Sequence, residues 1–309
     1  MSVIDLKKNK CTSDTSNKIA LLDELLPNIK KYAGETFVIC YNGQALYDKQ
    51  LAMKFAHDIV LMKQLGINII IVHGGEQIVD DVHKKLNFVS TYVDDTRVTD
   101  SDSIEIVEMV LSGLVNKRIV TYINDAGGSA IGLSGKDTNL IEAKKHRRSK
   151  AKPNSNIESI IDLGFVGEPT IISPDILLAF EDTDFIPVIS PIARGENGET
   201  FHINTLTAAA VISSSLMVRK FIIIDDYADT IATLGIANST LDYKALYNIA
   251  KKLLREGDNA ANLLNTCVSV LQNKTESINV IDGKIGHSLL LDIFTNEKCG
   301  VLFRNSVNY

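Results

Sequence analysis

The two stretches that decide the fold read TFVICYNG (residues 36–43) and INIIIVHGG (residues 67–75). Each is a run of β-branched and aromatic residues that leads into glycine, which is typical of a buried strand followed by a tight turn. Residues 48–65, between them, suit a helix. Two successive strand–turn–helix units predict an α/β protein with an open, mainly parallel sheet sandwiched by helices.

The same alternation continues along the chain. We predict helices at 16–33, 101–126, 205–218 and 241–272, strands within 128–172 and at 185–189, 221–224 and 278–281, and a final helix after Asp282-Gly283. We expect no strand after the one at 278–281. A polar, glycine-bearing segment at 193–200 predicts a boundary between lobes. The predicted organisation is an N-terminal extension and helix (1–34), a first lobe (35–195) and a second lobe (196–309).

Composition excludes several classes of protein. With 309 residues, 45% of them hydrophobic, the chain can bury a large core. A net charge of -6 gives no reason to expect nucleic acid as a partner. The four cysteines are far apart, so neither a metal site nor a disulfide framework is expected. No apolar run reaches the roughly 20 residues of a membrane span. These features predict a protein of the cytoplasm that is not bound to a membrane.

The glycines that follow the strands are candidate anion-binding elements. Glycine lets backbone N–H groups approach an anion closely, and the N-terminus of a following helix favours negative charge. His73-Gly74-Gly75 taken alone is also compatible with a plain tight turn.

Read together, further segments carry a specific resemblance. Over residues 16–303 the chain resembles the acetylglutamate kinases, which have the amino acid kinase fold. The segments that match in order and spacing are HGG (73–75), RVTD (97–100), VEMVL (107–111), VNK (115–117), LSGKD (133–137), DLGFVGE (162–168), IPVI (186–189), GETFHIN (198–204) and IDGKIGHSLLLDIFT (281–295).

The resemblance implies a function in arginine biosynthesis. It implies that the first lobe binds N-acetyl-L-glutamate, that the second binds ATP with magnesium, and that the substrate's side-chain carboxylate is phosphorylated. By position, Gly74 and Gly75 would offer backbone donors to the substrate, Arg97 would pair with a carboxylate, and Asn204 would hold the other end. From the residues alone, Arg97 is also compatible with a surface ion pair, and Asn204 with a helix cap.

The chain departs from the family pattern where phosphoryl transfer needs charge. The family uses two lysines and an orienting aspartate, and these positions hold Cys40, Leu263 and Leu206. Losing one preorganised charge typically costs about 10²–10³ in rate, and such losses are not additive. We therefore expect no intact catalytic set and a rate lower by on the order of 10⁴ or more.

Four further residues also depart from the family pattern. Asn42 and Glu76 stand where the family has glycine, and Asp225-Asp226 stand where ATP phosphates are expected. Gly43 and Asp226 are the candidate nucleotide-binding residues. Carboxylates there repel a polyphosphate unless magnesium bridges them, so ATP binding is not expected to be normal.

Two hypotheses for the function stay open. One is a slow kinase in which another basic residue, such as Lys49 or Lys117, replaces the lost lysines. The other is a pseudokinase that binds N-acetylglutamate and regulates or scaffolds a true kinase subunit. The N-terminal helix, with Ile19, Leu22, Leu25, Leu26 and Ile29 at helical spacing, resembles the family helix that joins dimers into hexamers. It predicts a homo-oligomer, or else packs on its own core.

Overall fold

A computed structural model describes residues 12–88, 91–93, 96–151, 158–181, 183–256 and 260–305. The helices are α1 (Thr12–Tyr32), α2 (Gln44–Tyr47), α3 (Lys49–Gln64), α4 (Glu76–Lys85), α5 (Ser101–Glu108), α6 (Asn116–Asp125), α7 (Asp175–Leu178), α8 (Thr205–Leu216), α9 (Ala228–Thr233), α10 (Tyr243–Glu256), α11 (Ala260–Gln272) and α12 (Ser288–Phe294). The strands are β1 (Thr36–Tyr41), β2 (Asn68–His73), β3 (Thr91–Val93), β4 (Thr96–Val98), β5 (Ser129–Ser134), β6 (Ile141–Ala151), β7 (Glu158–Ile172), β8 (Phe185–Ser190), β9 (Ile192–Gly195), β10 (Thr200–His202), β11 (Lys220–Asp225), β12 (Thr240–Asp242), β13 (Ser277–Asp282) and β14 (Gly300–Arg304).

An eight-stranded sheet forms the centre of the molecule, in the order β12-β14-β13-β11-β1-β2-β8-β5. The central strands β1, β2, β8, β11 and β13 pair in parallel, and β14 runs antiparallel to β13. Since β1 pairs with both β2 and β11, one continuous sheet crosses the predicted boundary between the lobes.

Alternation along β1 explains why this strand lies at the centre. Val38 and Cys40 point into one apolar cluster, and Phe37, Ile39 and Tyr41 point into another on the opposite face. All five are at most 1% exposed. A strand buried on both faces must be apolar throughout, which is why the sequence signal there is a continuous run.

Two smaller sheets surround the main one. Strands β6, β7, β9 and β10 pair in a closed ring, in which β6 and β7 form a long antiparallel hairpin. The β3–β4 hairpin is short and sets Tyr92 opposite Arg97.

The structure confirms the predicted fold class and most predicted elements. It corrects two of them. The helix expected over 101–126 is interrupted by a π-helical turn, Met109–Val115, that separates α5 from α6. The strand at 278–281 is not the last one, because β14 adds an antiparallel strand beside it. Among the helices of the described residues, none has the length and apolarity that crossing a membrane requires.

Candidate functional site

The carboxyl ends of β1, β2 and β11 meet at one edge of the sheet. Because the strands are parallel, the two glycine turns and the Asp225-Asp226 pair come together there, although they are up to 183 residues apart. Asn42 bridges them, since its side-chain amide donates to Asp225 Oδ2 over 3.1 Å. This edge is the candidate site.

At the first turn, backbone donors are already engaged by carboxylates of the chain itself. The Gln44 N–H donates to Asp226 Oδ2 over 2.9 Å. Gly43 has φ +66°, and a Cβ built on it would lie 2.7 Å from Asp225 Oδ1. Glycine is therefore needed here because the Asp225-Asp226 segment packs directly on the backbone.

The charge at this turn is negative. Burial raises the pKa of Asp225, and the neighbouring Asp226 charge raises it further, against the lowering effect of hydrogen bonds from the Asp226 N–H and Asn42. One carboxylate already accepts the Gln44 N–H, and a second one packs against Gly43, so this turn is lined by negative charge.

The second turn is also filled from within. A Cβ at Gly74 would lie 2.1 Å from Asn42 Oδ1 and 3.2 Å from Thr205 Oγ1, and the Gly74 N–H donates to the Tyr41 carbonyl over 3.0 Å. Gly75, at φ +149°, packs against Leu111 of the π-helical turn. The side chain of Asn42 thus lies between the two turns.

Arg97 is buried at this edge and is paired with two carboxylates. Its Nη1 lies 2.7 Å from Asp80 Oδ1, and its Nε and Nη2 donate to Glu76 Oε2 over 3.3 and 3.1 Å. The guanidinium also lies 5.1 Å from the centre of the Tyr92 ring. The side chain is 3% exposed, so Arg97 is not the surface residue that sequence alone left open.

Glu76 connects Arg97 to a histidine. Its Oε1 lies 3.0 Å from His202 Nε2, so the carboxylate is held between the imidazole and the Arg97 guanidinium. Burial raises the pKa of Glu76, but His202 and Arg97 together outweigh burial and lower it to about 2. A side chain of the protein therefore holds the arginine that the resemblance assigns to a substrate carboxylate.

The three positions at which the resemblance implies catalytic charges are apolar and buried. Cys40, Leu206 and Leu263 are 1%, 7% and 2% exposed, and all belong to one hydrophobic cluster. Burial raises the pKa of the Cys40 thiol well above its usual range, and the charge of Asp225 adds to this effect. A neutral thiol at the end of β1 offers no positive charge to a transferring phosphoryl group.

Other residues singled out in the sequence have structural contacts. Asn204 caps α8, since its Oδ1 accepts from the Thr207 N–H over 3.1 Å. Lys136 Nζ donates to Glu108 over 2.8 Å and to Thr200 over 3.0 Å. Lys117 Nζ donates to the Gly132 carbonyl over 3.3 Å.

Sequence reasoning missed Asp80, His202 and the Asn42–Asp225 bridge. A signal for Asp80 was present, because Glu76 and Asp80 are four residues apart on α4 and so share one helix face. His202 lies in a segment that carries the resemblance, but nothing in its spacing pairs it with Glu76. The bridge joins distant parts of the chain and has no local signal.

Comparison with known proteins gives consistent results. The model of the amino acid kinase family matches residues 35–229. The acetylglutamate kinase of Ehrlichia chaffeensis is 44% identical over 95% of this chain and 92% of its own, and that of Rhodospirillum rubrum is 42% identical over 94% and 93%.

Among solved structures, the chain is similar in fold to N-acetylglutamate synthase from Neisseria gonorrhoeae, complexed with coenzyme A and N-acetyl-glutamate. The TM-score is 0.74 at 22% identity, and the match covers 94% of this chain and 64% of that one.

Proposed function

Because this chain belongs to the amino acid kinase family and, within it, to the acetylglutamate kinases, we propose that it binds N-acetyl-L-glutamate but does not phosphorylate it at a useful rate. The observation that carries the proposal is the burial of Cys40, Leu206 and Leu263 in one apolar cluster, where the family places its charges. The self-occupied turn at Gly43 and Asp226 supports it, because ATP with magnesium would have to displace a carboxylate.

The proposed substrate-binding residues are Gly74, Gly75, Arg97 and Asn204. Arg97 supports the assignment because it is buried and oriented by Asp80, so its fork is preorganised for a carboxylate. Binding requires that Glu76 yield its place on Arg97 to the ligand. Asn204 keeps its amide nitrogen for a ligand while its oxygen caps α8.

The experiment has two parts. Calorimetric titration with N-acetylglutamate and, separately, with magnesium-ATP measures binding, and trapping of the acyl phosphate with hydroxylamine measures turnover. We expect N-acetylglutamate binding without ATP binding and without product above a protein-free control. ATP binding with turnover would refute the proposal and support the slow-kinase alternative, for which Lys49 and Lys117 would then be replaced in turn.

We further propose that the protein assembles through α1, either as a homo-oligomer or together with a true kinase subunit. Leu25 and Ile29 pack on the core, and Asn28 donates to the Phe294 carbonyl over 3.0 Å, so one face of α1 is docked. The same side of α1 also carries apolar side chains that are 50–54% exposed, namely Ile19, Leu21, Leu22 and Leu26. A contiguous apolar face of this kind favours association.

Light scattering tests the role of α1. Leu22→Glu with Leu26→Glu should reduce the measured mass to that of a smaller species, whereas Lys18→Glu should not. An unchanged mass in the double variant would refute assembly through this face.

Three described cysteines, Cys40, Cys267 and Cys299, are free thiols, which supports the proposed cytoplasmic location.

A further inference from the structure

A second cluster of polar side chains lies away from the Arg97 pocket, where α3 meets the loop before α12. It consists of His57 and Asp58 on α3 and of His287, which precedes α12. One ligand atom from each residue lies within 4.8 Å of the others. Asp58 and His287 are 229 residues apart in sequence, so only the fold brings them together.

The geometry of the cluster is close to that of a metal site. His287 Nδ1 lies 2.6 Å from Asp58 Oδ1, and His57 Nδ1 lies 3.9 Å from the same oxygen. Around a tetrahedral zinc ion with bonds of about 2.0–2.1 Å, neighbouring ligand atoms are separated by roughly 3.3 Å. The two observed distances lie on either side of that value. Binding an ion would therefore open the hydrogen bond between His287 and Asp58 and bring the exposed His57 side chain closer.

The carboxylate is buried and faces both histidines. Asp58 is 1% exposed, and its Oδ1 is the atom that the Nδ1 atoms of His287 and His57 both approach. A cation that contacts Asp58 would offset the cost of burying its charge. Beside Asp58 and His287 lies a cavity of about 20 Å³, also lined by Ser288 and Gly283, which is enough for one water molecule as a fourth ligand.

We propose that His57, Asp58 and His287 form a binding site for a divalent late transition-metal ion such as Zn²⁺. Two imidazoles and one carboxylate, with a position open to water, are a donor set that suits this class of ion rather than magnesium or calcium, which prefer oxygen ligands. Lys54, whose ammonium lies beside Gly286, repels a cation and so limits the affinity.

A bound ion would join the middle of α3 to the start of α12. The loop from Asp282 to His287 also packs on the first glycine turn, where Gly283 contacts Ala45. The ion would therefore stabilise the loop that supports the candidate site without entering it. Binding of the ion at this cluster does not require kinase activity.

The test is titration of the full chain with ZnCl₂ by calorimetry, and with Co²⁺ followed by its visible absorption. One ion per chain should bind, with the intense bands of a tetrahedral site for Co²⁺. His57→Ala should weaken binding by at least about 10-fold, because even partners that only orient a ligand contribute 10–100-fold. His57 is exposed, so this variant should fold normally.

His146→Ala is the matched control, since it removes a histidine outside the cluster and should leave binding unchanged. Asp58→Asn, checked for folding by circular dichroism, should weaken binding as His57→Ala does. The proposal is refuted if wild type binds no ion, or if His57→Ala and Asp58→Asn both bind with wild-type affinity, as they would if a thiol held the ion.

Discussion

Replacing Glu76 with glutamine is expected to raise the affinity for N-acetylglutamate. In the structure Glu76 Oε2 accepts from Nε and Nη2 of Arg97 over 3.3 and 3.1 Å, and Oε1 lies 3.0 Å from His202 Nε2. A ligand carboxylate that pairs with Arg97 must first replace this tethered carboxylate. Glutamine keeps the shape of the side chain but removes the charge that competes.

The magnitude follows from the strength of one charged interaction. Hydrogen bonds to charged groups contribute about 1.5–3 kcal/mol, and each 1.4 kcal/mol changes a dissociation constant about tenfold. Removing the competitor should therefore tighten binding by about 10- to 100-fold. Because the Glu76 side chain is 44% exposed, solvent screens part of its charge, and the lower end of this range is expected.

Calorimetric titration of wild type, Glu76→Gln and Asp81→Asn measures the effect. Asp81 is an exposed carboxylate on the same helix, and its partner is Lys84, at 3.9 Å, so its replacement changes the net charge equally without touching Arg97. Tighter binding in Glu76→Gln alone is expected. Equal or weaker binding in that variant would refute the competition between Glu76 and the ligand. Absence of binding in all three proteins would instead refute the proposed ligand.

Three more measurements test other parts of the structure. Cys40→Lys should destabilise the fold by about 3–5 kcal/mol, because it buries an unpaired charge. Adding Leu206→Asp should recover at least about 1 kcal/mol, and strictly additive losses of stability in the double-mutant cycle would contradict this. Burial lowers the pKa of Lys220 to about 7, so the unfolded chain binds this proton more tightly than the folded protein does. The free energy of unfolding of the wild type should therefore rise between pH 7 and 10 relative to that of Lys220→Met. If urea unfolding gives the same pH dependence for both proteins, this prediction is wrong. Cys40 and Cys267, which are 1% and 0% exposed, should react with a thiol reagent at pH 8 only after unfolding, and rapid labelling of either in the native protein would be inconsistent with their burial.

Much of the fold follows from local sequence patterns. The runs at 36–41 and 67–72 predicted β1 and β2 to within one residue, because strands buried on both faces are almost entirely apolar. The antiparallel strand β14 was missed, since Gly300–Arg304 is short, and its pairing with β13 rather than its local pattern makes it a strand. The π-helical turn was missed for a similar reason, because the apolar spacing of Met109–Val115 remains helical.

The candidate site likewise has residues that local sequence patterns predicted and contacts that they did not. Sequence alone predicted roles for Arg97 and the glycine turns and the replacement of catalytic charges at Cys40, Leu206 and Leu263, because each is defined by residue type at a fixed place in a motif. It did not reveal that Glu76 holds Arg97 or that Asp226 accepts the Gln44 N–H. These contacts join side chains from different elements, and their distances are fixed by how helices pack on the sheet.

What the sequence determined by itself was the class of fold and the family, both of which depend on local composition and order. Only the tertiary structure decided which groups contact Arg97 and the two glycine turns. Parallel strands bring the ends of distant segments to one edge of the sheet. A charge that is buried at this edge is costly unless it pairs with another group. In this protein those partners are the chain's own carboxylates and amides.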